Sequence, residues 1–247
     1  MRSVAVYSLK GGVGKTTIAV NLAWAASQVS GRRTLLWDLD GQAAASYLLG
    51  AEAPNGEEAQ SVFARDVSPT KLIQATEFEG LDLLPADRSL RELDQFFFSL
   101  GKKKRLEKLL DRLARDYDRI ILDCPPGLTE TSEQVLRAAD LIIVPVIPSP
   151  LSQRALSEVV EYLDDKGLRR GALLPVFNMV DRRRSLHLAA LEANSRWPVV
   201  PMASAIEAMS AGNGALARFP RRSAAAAALE SVWKGIDRRL ARIAKDG

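Results

Sequence analysis

Eight residues constrain this chain more than any others: Lys10-Gly11-Gly12-Val13-Gly14-Lys15-Thr16-Thr17, set between an apolar run at 4–8 and an amphipathic stretch at 16–28. Glycines so placed let the backbone turn tightly and aim successive N–H groups inward, which makes a nest for phosphate oxygens. A helix starting there adds the positive end of its dipole. In this arrangement Lys15 reaches the β and γ phosphates of a nucleotide, Thr16 offers a hydroxyl to Mg²⁺, and Thr17 is placed to bond an α-phosphate oxygen. The segment therefore predicts a strand–loop–helix unit that binds a nucleoside triphosphate.

The rest of the chain repeats the strand–helix alternation. Runs rich in Val, Ile and Leu at 4–8, 34–37, 81–84, 119–122, 141–146 and 172–179 read as buried strands. Helix-like stretches lie at 16–28, 102–116, 131–138, 152–164 and 185–194, with a final helix over 223–244. Near-continuously apolar strands separated by helices predict an α/β fold, doubly wound, with a mostly parallel sheet covered on both faces. Residues 51–80 carry the weakest pattern and are expected to form loop and short helices. No linker-like stretch divides the sequence, so residues 1–247 are expected to form one domain.

Two carboxylates fall at the carboxyl ends of predicted strands, where ligands of open α/β sheets bind. Asp40 closes Leu36-Trp37-Asp38-Leu39-Asp40, and Asp123 closes Arg119-Ile120-Ile121-Leu122-Asp123 ahead of Cys124-Pro125-Pro126-Gly127. Asp123 suits a carboxylate that holds Mg²⁺ through a coordinated water; Asp40 suits one that orients the attacking water and touches the metal through water.

Composition removes several function classes. A single cysteine among 247 residues excludes an intrachain disulfide and any CxxC redox or zinc pair within them. The only histidine, His187, sits among leucines and alanines and reads as structural. Trp24, Trp37 and Trp197 read as core. No apolar run approaches the roughly 18 residues that span a bilayer. The segment MRSVAVYSLKGG lacks the apolar stretch of a secretory leader, so a cytoplasmic location is expected.

Charge is unevenly placed. The chain carries a net +4, yet residues 218–247 hold eight Lys and Arg against three acids. That places the whole positive excess in the last thirty residues and predicts a basic face for a polyanion. In the final helix Leu229, Trp233, Ile236, Leu240 and Ile243 share one stripe, with Lys234, Arg238, Arg242 and Lys245 roughly opposite. The stripe is expected to pack on the sheet and leave the basic face in solvent.

The phosphate loop departs from G-x-x-x-x-G-K-[ST], because Leu9 stands where the first glycine belongs and a second lysine, Lys10, precedes the paired glycines. This K-G-G-x-G-K-T-T form resembles the deviant Walker A loop of the ParA/MinD group of P-loop ATPases. Asp38-Leu39-Asp40-Gly41-Gln42 resembles the ParA segment D-x-D-P-Q, with Gly41 in place of proline. Ala43 to Gly50 also departs from that family's G-N-A-T-S-G-L-G, which bears on the speed of hydrolysis. Asp123-Cys124-Pro125-Pro126 matches the family's second switch segment residue for residue. Further along, Asn178-Met179-Val180-Asp181 looks like the base-recognition segment, and Pro201 matches the proline that flanks adenine.

The resemblance implies a Mg²⁺-dependent ATPase, slow and stimulated by a partner, with Lys10 reaching across a homodimer to the other subunit's ATP. It implies ATP contacts from Lys10, Gly11, Gly12, Val13, Gly14, Lys15, Thr16, Thr17, Asn178 and Pro201. It also implies non-specific DNA binding by the ATP-bound dimer. Arg183 falls where the family's M-x-D-x-R segment supplies a DNA-contacting arginine and is flanked by Arg182 and Arg184; Arg218, Arg221, Arg222, Arg238 and Arg242 complete the expected surface. With the loop beginning at Lys10, the short ParA class without an amino-terminal DNA-reading domain is expected, working on the nucleoid through an adaptor protein that links it to cargo. Two other readings stand beside this one. One is a MinD-like ATPase whose terminal helix lies on a membrane; the other is a small-molecule ATP-dependent ligase on the same fold.

Overall fold

The computed structural model describes residues 1–52, 59–64, 67–101, 104–168, 173–204, 206, 209 and 223–243. The first strand, β1 (Arg2–Val6), enters the sheet at its middle, and α1 (Lys15–Gln28) returns the chain to β2 (Thr34–Asp38). Two short helices, α2 (Ala44–Leu48) and α3 (Ser61–Ala64), precede the strands β3 (Gln74–Ala75) and β4 (Leu81–Leu84). Then come α4 (Leu93–Leu100), α5 (Arg105–Leu113), β5 (Arg119–Asp123), α6 (Glu130–Ala138) and β6 (Leu141–Val146). The chain continues through α7 (Pro150–Asp165), β7 (Leu173–Val180), α8 (Ser185–Ala193), β8 (Val199–Pro201) and α9 (Ala224–Ile243).

The strands form one sheet in the order β3-β4-β2-β5-β1-β6-β7-β8. Every pair is parallel except β3 with β4. Because β1 lies between β5 and β6 while its successor β2 lies beyond β5, the winding reverses around β1, and a crevice opens at the carboxyl ends of β1, β2 and β5. Two apolar cores flank the sheet. One holds Tyr7, Trp37, Phe63, Leu90, Phe97, Leu109 and Phe177; the other holds Ile18, Leu22, Leu36, Leu83, Trp233 and Ile236. The expected doubly wound α/β architecture is observed.

Several boundaries moved. β1 leaves the ladder at Val6 rather than at residue 8, because the chain turns into the phosphate loop. The helix expected over 102–116 is described only as Arg105–Leu113. Helix α4 and the edge strands β3 and β8 carry too short a pattern to read: two and three residues give no alternation, and Phe96, Phe97 and Phe98 obscure a helical period. Trp37 is buried as expected, whereas Trp24 and Trp197 are half-buried.

Helix α9 follows its sequence pattern. Leu229, Trp233, Ile236 and Leu240 are buried, Trp233 Nε1 donates to Ser30 Oγ at 2.7 Å, and Arg119 forms a 2.6 Å ion pair with Asp237. Lys234, Arg238 and Arg242 face solvent. Among the described residues no helix is long and apolar enough to cross a membrane.

Candidate active site

The loop between β1 and α1 is shaped by glycines at positive φ: Gly12 at +72° and Gly14 at +85°. Gly14 occupies the N-cap of α1, where no side chain caps the helix. The amide donors of the first turn are thus left without a side-chain acceptor, as an anion site needs. Gly14 is constrained twice, since a Cβ there would also collide with the side-chain nitrogen of Asn178.

The two lysines of the loop have different surroundings. Lys15 is buried, and its Nζ donates to the Lys10 carbonyl at 3.4 Å. Burial pushes its pKa down, opposed by the charges of Asp123 and Asp40. Lys10 is exposed. One cation therefore stays with the carboxylates, and the other is available to something outside the fold.

Those carboxylates come from adjacent strands. Asp38 and Asp123 lie directly opposite each other in the β2–β5 register, and both are fully buried. Burial pushes Asp38 up to about 6 even though Ser46 and Asp40 donate hydrogen bonds to it. Asp123 is raised well above the ordinary carboxylate range, first by burial and then by the charge of Asp38, while the Thr16 hydroxyl and Lys15 oppose the shift. Neither oxygen of Asp123 has a hydrogen-bond partner of good geometry. Orphaned buried carboxylate oxygens are costly, and a hard divalent cation that takes oxygen ligands would satisfy them. These residues fit Mg²⁺: Thr16 and Asp123 are the groups that would hold it. Asp40, half-buried, follows on the same loop and accepts the Gln42 N–H at 2.9 Å.

Opposite the phosphate loop, β7 bulges. Its pairing with β8 shifts register between Phe177 and Val180, and Met179 adopts φ +56°, a strained conformation for a residue with a side chain. The bulge aims the buried Asn178 at the loop, where its Nδ2 donates to the Val13 carbonyl at 2.8 Å. One amide hydrogen expected for a purine is thus spent on the loop, and Oδ1 and the second hydrogen remain. Pro201 closes β8 opposite Val180.

The arginines form a separate group. Arg182, Arg183 and Arg184 follow β7 and are exposed. Arg183 grips Asp181 through Nε at 2.9 Å and Nη2 at 3.0 Å, and these bonds hold Asp181 down to about 2. His187 is buried and accepts the Asp181 N–H on Nδ1, which confirms its structural role. Arg238 and Arg242 lie exposed on α9, whereas Arg218, Arg221 and Arg222 lie outside the described residues. Cys124 is fully buried with its thiol pushed up by burial, consistent with packing.

Sequence reasoning missed three contributors. Asp38 gained no role, although an acid inside the apolar run 34–38 signals a buried charge with a purpose. Tyr7, wholly buried, donates to the Gly127 carbonyl at 3.0 Å and so ties β1 to the loop after β5. The segment 86–91, which packs beside Gly41, carries no motif.

A family model described as AAA domain matches residues 1–169. The sporulation initiation inhibitor protein Soj of Bacillus subtilis is 31% identical over 198 residues, covering 76% of this chain and 77% of Soj. The virulence plasmid ParA family protein pGP5-D of Chlamydia psittaci is 32% identical over 188 residues, covering 75% of this chain and 72% of that protein. Among solved structures, one described as cobyrinic acid a,c-diamide synthase from Mycobacterium smegmatis, with bound ATP analog and magnesium, superposes with a TM-score of 0.82 at 27% identity. It covers 97% of this chain and 95% of that one. The septum site-determining protein MinD of Pyrococcus horikoshii, complexed with Mg-ADP, gives 0.79 at 25% identity and 98% coverage of both chains.

Proposed function

This chain belongs to the ParA-like partition ATPases of the AAA domain family, and from that premise we propose that it is a Mg²⁺-dependent ATPase that dimerises around two ATP molecules and binds DNA without sequence preference in that state. Hydrolysis, slow until an adaptor protein stimulates it, releases the dimer, and the cycle segregates or positions a cargo on the nucleoid of the cytoplasm. Residues 1–247 act as one ATPase domain.

In this reading the glycines of the loop and the first turn of α1 bind the phosphates, with Lys15 on their β and γ groups and Thr17 on the α. When bound, Mg²⁺ would supply charge neutralisation at the phosphates. Thr16 would hold it directly, and Asp123 and Asp40 would hold it through water. Asp40 orients the attacking water, and Lys10 meets the phosphates of the other subunit, where a cation delivered in trans stabilises the transferring group. Asn178 and Pro201 take the adenine. The observation that carries the reading is the contrast between the two lysines: Lys15 buried beside the acids, Lys10 exposed at the mouth of the same loop.

Leu229, Trp233, Ile236 and Leu240 of the apolar stripe of α9 are buried inside the protein, and the exposed side of the helix carries Lys234, Arg238 and Arg242. That supports DNA rather than a lipid surface, which needs apolar residues to insert. Arg182, Arg183, Arg184, Arg218, Arg221, Arg222, Arg238 and Arg242 would contact phosphates. The test is a DNA mobility-shift titration with and without ATP over a salt series, run beside liposome co-sedimentation. ATP-dependent, salt-sensitive DNA binding is expected; binding to liposomes alone would favour the MinD-like alternative.

A further inference from the structure

We propose that Ser46 is a positioning residue for hydrolysis: its hydroxyl ties Asp38, and through Asp38 the backbone of Asp40, to a wall built by residues 86–91. The inference rests on the ATPase reading above and adds to it a segment that no motif marks.

The connections are explicit. Asp38 Oδ1 accepts the Asp40 N–H at 3.1 Å, while Oδ2 accepts both the Ser46 N–H at 2.9 Å and the Ser46 hydroxyl at 2.8 Å. Ser46 Oγ in turn accepts the Ala86 N–H at 2.9 Å. An amide N–H can only donate, so the Ser46 oxygen must receive it and its proton is left for the carboxylate. Asp38, Ser46 and Ala86 are all buried, so water is a poor substitute for any of these bonds.

The wall is itself braced. Asp87 accepts the Ser89 N–H at 2.8 Å and the Ala59 N–H at 2.7 Å, and Ser89 Oγ accepts the Gln60 N–H at 3.0 Å. Its far end returns to the Asp40 loop. A Cβ added to Gly41 would stand 2.9 Å from Arg91 Cγ and 3.2 Å from the Arg91 nitrogen. Residues 86–91 thus touch the segment 38–46 at Gly41, directly after Asp40, and again at Ser46, whose hydroxyl reaches back to Asp38. A carboxylate that orients water must be held to a fraction of an ångström by groups that are themselves fixed. The phosphate contacts come from residues 10–17 and do not depend on this brace, so its loss should slow the chemical step and spare ATP binding.

The full chain is tested by displacement of a fluorescent ATP analogue and by single-turnover hydrolysis. Ser46→Ala is expected to keep ATP affinity within about twofold and to hydrolyse about tenfold more slowly, with Ser46→Thr returning the rate to within about twofold of wild type. A wild-type rate in Ser46→Ala, or a Ser46→Thr rate as low as that of Ser46→Ala, overturns the proposal. So does a parallel loss of ATP affinity and turnover in a folded Ser46→Ala. Should Ser46→Ala not fold, Asp87→Asn loosens the wall from its other side; it is expected to slow hydrolysis about threefold at unchanged ATP affinity, and an unchanged rate overturns the proposal. A wild-type chain that binds no ATP would overturn the ATPase reading itself, whereas wild-type turnover with indifferent variants overturns only the role of Ser46.

Discussion

Asp38 and Asp123 stand directly opposite each other on neighbouring parallel strands, both fully buried. Two acids so placed cannot both ionise cheaply, and the nucleotide-free protein should carry that cost into its pH dependence. Both bind a proton more tightly in the folded chain than in the unfolded one, Asp38 with its pKa pushed up to about 6 and Asp123 raised well above the ordinary carboxylate range by burial and by the charge of Asp38. The stabilisation is therefore complete at low pH and is lost as pH rises through these raised values. The melting temperature of the nucleotide-free protein should fall as the pH rises from about 4 through about 6, the span between the unfolded and folded values of Asp38, and Mg²⁺ with ATP should oppose the fall. Asp123→Asn should flatten the slope and raise the melting temperature at pH 8 by about 3–6 °C while abolishing Mg²⁺-dependent turnover. Scanning calorimetry at several pH values checks this, and an unaltered slope in Asp123→Asn would contradict it.

The lysines of the loop should separate by assay. Lys15 is buried among the groups that face the phosphates, so Lys15→Ala should weaken ATP binding by about 100-fold or more, the scale of removing a desolvated charge partner. Lys10→Ala removes an exposed cation and should leave ATP affinity within about threefold. What it should lose is ATP-dependent dimerisation. Light scattering at saturating ATP, with turnover blocked by Asp40→Ala, reads the difference; a dimer that survives Lys10→Ala would remove its trans role.

Gly41 stands where the related segment has proline, and its neighbour explains why. Arg91 lies so close that any Cβ must displace it, and one of the atoms met is backbone nitrogen, which cannot swing aside. Gly41→Pro, which restores the relatives' motif, should therefore lower stability and slow hydrolysis rather than improve it. Arg91→Ala should relieve part of the defect, because it removes the Cγ contact and leaves the backbone contact. Turnover and melting of the two single variants and the double variant form the test, and simple additivity would mean that the two positions do not interact.

Why some of this could be read from the sequence and some could not has a physical basis. The phosphate loop and the strand-end Asp40 and Asp123 are local: their neighbours in sequence dictate both conformation and direction. Long apolar strands flanked by amphipathic helices likewise carry their own period. The partnership of Asp38 with Asp123 depends on strand order, since 84 residues intervene and only the insertion of β5 beside β2 brings them together. Asn178 reaches Val13 only because β7 bulges, and nothing in Asn178-Met179 announces the positive φ. The wall at 86–91 lacks any period and draws its shape from Asp87 and Ser46. Arg183 shows the same limit on the surface: the sequence gives three consecutive arginines, and the structure engages one of them with Asp181.

That pairing makes a final prediction about nucleic acid. The Arg183 guanidinium gives two of its five N–H groups to Asp181 and keeps the others, so it is held in place and still able to meet a phosphate. Arg183→Glu should weaken DNA binding alike for unrelated duplexes and reduce the steepness of the salt dependence by about one counterion. Dimerisation should be untouched, because the phosphate contacts proposed to join the subunits come from residues 10–17. Asp181→Asn probes the partner. It removes the charge that screens Arg183 and should strengthen binding at low salt, while loosening the guanidinium and so lowering the advantage as salt rises. Mobility shifts of two duplexes of different sequence over a salt series measure both effects, and a sequence-dependent loss in Arg183→Glu would show that the residue reads bases rather than backbone.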